Sequence, residues 1–158
     1  MKLTPVSNCF ESSLLLAKIV DFVSVGSNDL TQYLLAVDRN NPRVADIYSA
    51  FHPAVLGALL HVVKESHLEK RSVSICGEMA GDPGAAVLLM AMGFDILSMN
   101  SAALLRVKSV IRNVSLSTAK ELLKRVMEMD NTQSIRKAVD LMLYNSGVDR
   151  ILRSSRTN

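Results

Sequence analysis

Three times along the chain a short, β-branched run stops at a turn residue and is followed by a helix-start signal. The runs are Asp21-Phe22-Val23-Ser24-Val25 before Gly26, Ser72-Val73-Ser74-Ile75-Cys76 before Gly77, and Asp95-Ile96-Leu97-Ser98-Met99 before Asn100. Runs of this length and composition, bounded by Gly or Asn, read as strands. Strands that alternate with helices imply right-handed βαβ units and a parallel sheet, so the expected fold class is α/β with three parallel strands. In such sheets functional groups collect in the loops beyond the carboxyl ends of the strands. Those loops are 26–29, 77–82 and Asn100.

The intervening segments carry helix signals. Residues 11–20 read as a helix with Leu14, Leu15, Ala17 and Ile19 beside the polar Lys18. Ser27 or Asn28 can cap a helix running to Val37, with Asp29 in its first turn, where a negative charge suits the free amide groups. Asn, Asp and Pro make 38–42 a loop. After Pro53, the positions Leu56, Leu59, Leu60 and Val63 fall at i, i+3, i+4 and i+7 and mark one buried face, and 65–71 reads as a polar break. Loop 77–81 leads to Asp82 as cap and Pro83 as first residue of a helix that ends at Gly93. A third helix starts at Asn100 or Ser101 and carries Leu104, Leu105, Val107 and Ile111.

From Ser115 onward the pattern is helical alone. Thr118 and Glu121 fit a capping box ahead of Leu122, Leu123 and Val126, and residues 131–144 place Ile135, Val139 and Met142 on one face. These helices read as packing elements or a subunit contact, which allows a homodimer. The expected organisation is a βα unit over 1–114, a helical extension over 115–149 and a solvated tail over 150–158. The eight methionines read as core filler.

Composition narrows the function classes. A chain of 158 residues with 49% hydrophobic and 21% charged residues can bury one substantial core. The net charge of +3 is dispersed apart from Arg150, Arg153 and Arg156, which is no nucleic-acid footprint. Cys9 and Cys76 form neither a CxxC pair nor a metal-ligand spacing with His52, His61 or His67, so a reducing compartment is expected. With no secretory signal pattern and an apolar run over 85–92 shorter than the roughly 20 residues of a bilayer span, a cytoplasmic protein without membrane insertion is expected.

The strand-end loops bring Asn28, Asp29, Arg39, Cys76, Glu78 and Asp82 to one rim. Asp29 can ligate a hard cation, Arg39 can grip a carboxylate or phosphate with its planar fork, and Cys76 can exchange a proton. Each also has a plain structural reading: Asp29 and Asp82 favour helix starts, Arg39 is a solvated loop charge, and a free Cys is a small buried hydrophobe.

Four blocks in order resemble one family over about residues 14–150: Asp21-Phe-Val-Ser-Val-Gly-Ser-Asn-Asp-Leu-Thr-Gln-Tyr33, Ala36-Val-Asp-Arg-Asn-Asn41, Ser74-Ile-Cys-Gly-Glu-Met-Ala-Gly-Asp82 and Leu97-Ser-Met-Asn100. They resemble Enzyme I of the phosphoenolpyruvate-dependent phosphotransferase system, and most of all its nitrogen-related branch. Pyruvate phosphate dikinase and phosphoenolpyruvate synthase share the domain type and are the near alternative. The resemblance implies the C-terminal portion of a (βα)8 barrel with its site at the strand ends. It implies that Asn28 and Asp29 meet phosphoenolpyruvate and Mg²⁺, with Asp29 the metal ligand, and that Arg39 holds the phosphoryl group. Cys76 is then the acid that protonates the enolate of pyruvate. The implied acceptor is a histidine on a separate domain, from which the phosphoryl group passes to a phosphocarrier protein.

The chain departs from that family before Glu11, where the family places a second metal carboxylate in a Glu-x-Pro context. Here Thr4-Pro5 stands in that place, and residues 1–10 contain no Asp or Glu. A complete barrel takes about 250 residues, so the chain is expected to be a piece of a longer enzyme, active only when the other strands complete it. The reading from a different class is a non-catalytic interaction module whose open sheet edges and apolar helix faces take up a partner.

Overall fold

The computed structural model describes residues 17–38 and 48–147. Its elements in chain order are β1 (Phe22–Gly26), α1 (Ser27–Leu35), α2 (Pro53–Leu68), β2 (Ser72–Cys76), α3 (Glu78–Gly81), α4 (Pro83–Met92), β3 (Ile96–Ser98), α5 (Ser101–Asn113), α6 (Leu116–Val126) and α7 (Thr132–Asn145). The three strands form one parallel sheet in sequential order β1-β2-β3, as the alternation of strands and helices requires. Val23 pairs with Val73, Val25 with Ile75, and Ile75 in turn with Leu97, on the face that turns to the core. The opposite face carries Ser24, Ser74 and Cys76, with Phe22 at 52% and Ile96 at 57% exposure. Gly26, Cys76 and Ser98 are paired side by side, so the carboxyl ends of all three strands finish level.

The core lies between the Val and Ile face of the sheet and the helices. α2 supplies Val55, Leu56, Leu59 and Val63, and α4 is apolar all round, with Ala85 to Leu89 fully buried. A helix with no polar face must be enclosed on every side, and α4 is packed against α5, α6 and α7. Ile135, Val139 and Met142 of α7 and Leu122, Leu123 and Val126 of α6 point inward as their spacing predicts. Among the methionines, Met79, Met92 and Met142 are core residues.

Local signals placed several boundaries correctly. Asp82 caps α4 by accepting the Ala85 amide at 2.9 Å, Pro83 is the first helical residue, and Gly93 ends the helix in the left-handed region. Asn100 caps α5 through the Ala103 amide at 2.9 Å. Other expectations need correction. α1 ends at Leu35, with Ala36 left-handed at its C-cap, and does not reach Val37. α2 continues through Leu68, so the polar break begins later than position 65. Residues expected as a loop after Gly77 form the one-turn helix α3. The cap of α6 is Ser115, whose hydroxyl oxygen accepts the Thr118 amide at 3.1 Å, and Thr118 is already inside the helix. In α5 the buried positions are Ala103, Val107 and Val110, whereas Leu104 and Leu105 are 50% and 77% exposed. Of the residues 11–20 expected as a helix, 17–19 are helical and 11–16 lie outside the described residues, as do Cys9, Arg39 and the tail over 150–158. No helix among the described residues is long and apolar enough to cross a membrane.

Asp95 precedes β3 and does not belong to it, and its side chain holds the opposite end of the sheet from the strand-end loops. Its carboxylate accepts the Val73 amide at 2.8 Å and lies 3.2 Å from His67 Nε2. The Val73 amide first, and the His67 ring beside it, hold the carboxyl below the usual carboxylate range. A carboxyl lowered in the folded state stabilises the fold above the unfolded value and loses that contribution as pH falls through the folded one. The difference in urea midpoint between wild type and Asp95→Asn is expected to be constant near neutrality and to shrink below about pH 4. A difference undiminished in acid would assign the effect to amide geometry and not to charge.

Candidate functional site at the strand ends

The corner after β2 is built by α1. Ser27, the first residue of α1, is buried and sends its hydroxyl 2.9 Å to the carbonyl of Cys76 instead of capping its own helix. The N-cap is Gly26, which makes no side-chain cap bond, so the expected cap role of Ser27 or Asn28 is corrected to a cross-link between two strand ends. Thr31 is held in turn, its hydroxyl donating to the Ser27 carbonyl at 2.8 Å. Gly77 then adopts φ 118° and ψ −169°, a region that is essentially glycine's alone. A Cβ there would run into Ser27 Oγ and come within 3.2 Å of Asn28 Oδ1. Cys76 is therefore followed by the one residue type that fits beneath α1.

Asn28 Oδ1 accepts the Glu78 amide at a long 3.4 Å, which orients the side chain and leaves its amide nitrogen as a donor. Tyr48 donates to the Asn28 carbonyl at 3.3 Å from the next segment of the chain. Asp29 is exposed in the first turn of α1, and its Oδ2 lies 3.3 Å from where a Cβ on Gly26 would sit. It thus stands against the residue paired with Cys76. Asn28, Cys76, Glu78, Asp82, Ser98 and Asn100 line an open cleft of about 840 Å³ at the ends of β2 and β3. Asn28 and Cys76 are brought together there, Asp29 stands at the neighbouring strand end, and Arg39 lies outside the described residues.

Residues 12–116 match the family model described as PEP-utilising enzyme, PEP-binding domain. The chain belongs to that family. It is 43% identical over 138 residues to a protein named phosphoenolpyruvate-dependent phosphotransferase system in Escherichia coli, covering 87% of this chain and 18% of that one. A Haemophilus influenzae phosphoenolpyruvate-protein phosphotransferase is 41% identical over 134 residues, covering 85% of this chain and 23% of the relative. One from Priestia megaterium is 41% identical over 121 residues, covering 77% and 21%. The chain spans about a fifth of the length of these curated relatives. The PEP-binding family assignment thus agrees with the resemblance carried by the strand-end blocks.

The PEP-binding match stops at residue 116, yet the cleft does not. Its far wall is made by Arg106 on α5 and by Arg136, Asp140 and Leu143 on α7. Sequence reasoning left these four aside: the three on α7 because helices after Ser115 read as packing, and Arg106, which lies inside the match, because it stands in none of the strand-end blocks. The i, i+4 pair Arg136 and Asp140 was the available signal for α7, with Nε and Oδ1 3.4 Å apart. Among the described residues no group of three or more His, Cys, Asp and Glu side chains could hold a metal ion.

Proposed function

We propose that this chain supplies the thiol side of the phosphoenolpyruvate site of a phosphoenolpyruvate-protein phosphotransferase. The observation that carries the reading is the meeting of Asn28 and Cys76 in one cleft at the strand ends of a PEP-binding family member. The strands are consecutive staves of a (βα)8 barrel. Supporting that, their order is sequential and the core face lies on one side, whereas a doubly wound sheet reverses its strand order and is covered on both faces. The nitrogen-related branch is the finer assignment. It rests on the run from Asp21 to Asp46 together with Met79 and the stretch from Met90 to Asn100.

In this site the Asn28 amide nitrogen donates to a substrate oxygen, and Arg39 holds the phosphoryl group. The P–O bond of phosphoenolpyruvate breaks as a P–N bond forms to a histidine of a separate domain, which then serves a phosphocarrier protein. The pyruvate enolate left behind takes a proton at its terminal carbon from the Cys76 thiol, and the thiolate regains one from water. Mg²⁺ suits Asp29, because it keeps several waters and binds through one or two carboxylates plus substrate phosphate oxygens. When bound, the ion neutralises charge on the transferring group. The site works in the cytoplasm.

Calorimetric titration tests the binding half of this reading. Phosphoenolpyruvate should bind the chain only with Mg²⁺ present, and Asp29→Asn should weaken it about 10-fold or more, the size of one lost contact to a charged group. Equal affinity with and without Mg²⁺, or an unaffected Asp29→Asn variant, would remove the metal role of Asp29. Failure of phosphoenolpyruvate to bind the folded chain under any condition would remove the site.

A further inference from the structure

The loop that carries the thiol corner into α4 is held at both ends, and its far end is held from outside the family match. At the near end, Ser27 and Asn28 of α1 bind Cys76 and Glu78. At the far end stands Asp82, whose two carboxylate oxygens have separate tasks. Oδ1 accepts the Ala85 amide at 2.9 Å and caps α4, while Oδ2 accepts Arg136 Nη1 of α7 at 3.1 Å. The guanidinium is itself fixed: it lies over the Phe51 ring, 4.8 Å from its centroid, and its Nε faces Asp140. α7 sits close enough to the start of α4 that a Cβ on Gly84 would be 2.6 Å from Val139 Cγ1. Between the two anchors, α3 rests on α5, with a Cβ on Gly81 reaching 3.1 Å from Ala103 Cβ.

We propose that Arg136 is a positioning residue for Cys76, acting through Asp82 to clamp the 77–82 loop from α7. Without the guanidinium, Oδ1 still caps α4, but Oδ2 is released, the carboxylate rotates, and α3 loses its tether on the side away from α1. An exposed ion pair contributes little to global stability, so the clamp acts on the placing of the loop and leaves the fold standing. What the thiol does once placed rests on the proposed phosphoenolpyruvate site. The clamp itself is a property of the loop and has a readout that needs no substrate.

The test uses the chain carrying Cys9→Ser, so that Cys76 is the single thiol, and follows its alkylation by iodoacetamide from about pH 6 to pH 10. Arg136→Gln is expected to raise the rate about 3- to 10-fold, in the lower part of the range for side chains coupled within one network. Asp82→Asn keeps the capping oxygen and loses the charge, so it should give the same rise. The double variant should exceed neither single one, and Arg136→Lys should restore at least half of the effect while urea midpoints barely move. Rates unchanged by Arg136→Gln, effects that multiply in the double variant, or changes confined to the urea midpoint would overturn the clamp. Phosphoenolpyruvate with Mg²⁺ added to the same assay separates the two readings. Failure to slow alkylation in any protein, with the Arg136→Gln rise intact, removes the substrate site and keeps the clamp. Protection in wild type without an Arg136→Gln rise does the reverse.

Discussion

Replacing Gly77 with alanine is expected to destabilise the chain by about 2–6 kcal/mol, measured as a shift of the urea unfolding curve at constant slope. Two causes add. At φ 118° and ψ −169° an alanine is strained by about 1–3 kcal/mol wherever it stands. Its Cβ would also collide with Ser27 Oγ, the atom that donates to the Cys76 carbonyl, and losing a buried hydrogen bond costs about 1–3 kcal/mol more. Against a typical total of about 5–15 kcal/mol, this change takes a large share of the stability. In a Ser27→Gly background, where that hydroxyl is already absent, Gly77→Ala should cost only the backbone strain, about 1–3 kcal/mol. A shift below about 1 kcal/mol for Gly77→Ala alone would show that the turn re-forms in another conformation and that the corner is not rigid.

Removing the thiol should have the opposite profile. In a phosphotransferase carrying this segment, Cys76→Ala is expected to lower pyruvate formation about 100- to 10,000-fold, the usual contribution of a positioned general acid. Affinity for phosphoenolpyruvate with Mg²⁺ should change by less than about 3-fold, because a group that acts only on the enolate adds nothing to ground-state binding. Stability should also be nearly unchanged, since Ser27 holds the carbonyl of Cys76 and not its sulfur. Cys76→Ser, which keeps the size of the side chain but has a far less acidic proton, should resemble the alanine variant. A loss of binding as large as the loss of turnover would identify Cys76 as structural, and the acid would have to be sought elsewhere in the cleft.

The resemblance carried by four sequence blocks and the family match over 12–116 agree on the PEP-binding domain. Neither singles out the helical wall of the cleft, although Arg106 lies inside the matched span and the resemblance runs on to about residue 150. Asn28 and Cys76 of the cleft lining were legible because each stands in a strand-end block whose residue order is specific. Arg106, Arg136 and Asp140 were not, because a charged residue on an amphipathic helix looks the same whether it faces solvent or a cleft. The exposure of Leu104 and Leu105 has the same origin. Periodicity shows that a helix has an apolar side, but the contacts of α4 with α5 decide which residues meet the core.

What the sequence by itself determined are the features decided within a few residues. The β-branched runs made strands, Asp82-Pro83 and Gly93 set the two ends of α4, and Asn100 started α5, because a cap bonds to an amide only three residues away. The tertiary structure alone decided the features that need distant partners. The Ser27 hydroxyl passes over its own helix for the carbonyl of Cys76, 49 positions along the chain, and Arg136 reaches Asp82 across 54. In each case a polar group had a local partner available, in the start of α1 or in Asp140, and only the folded approach of two segments decided where its remaining hydrogen-bonding capacity went.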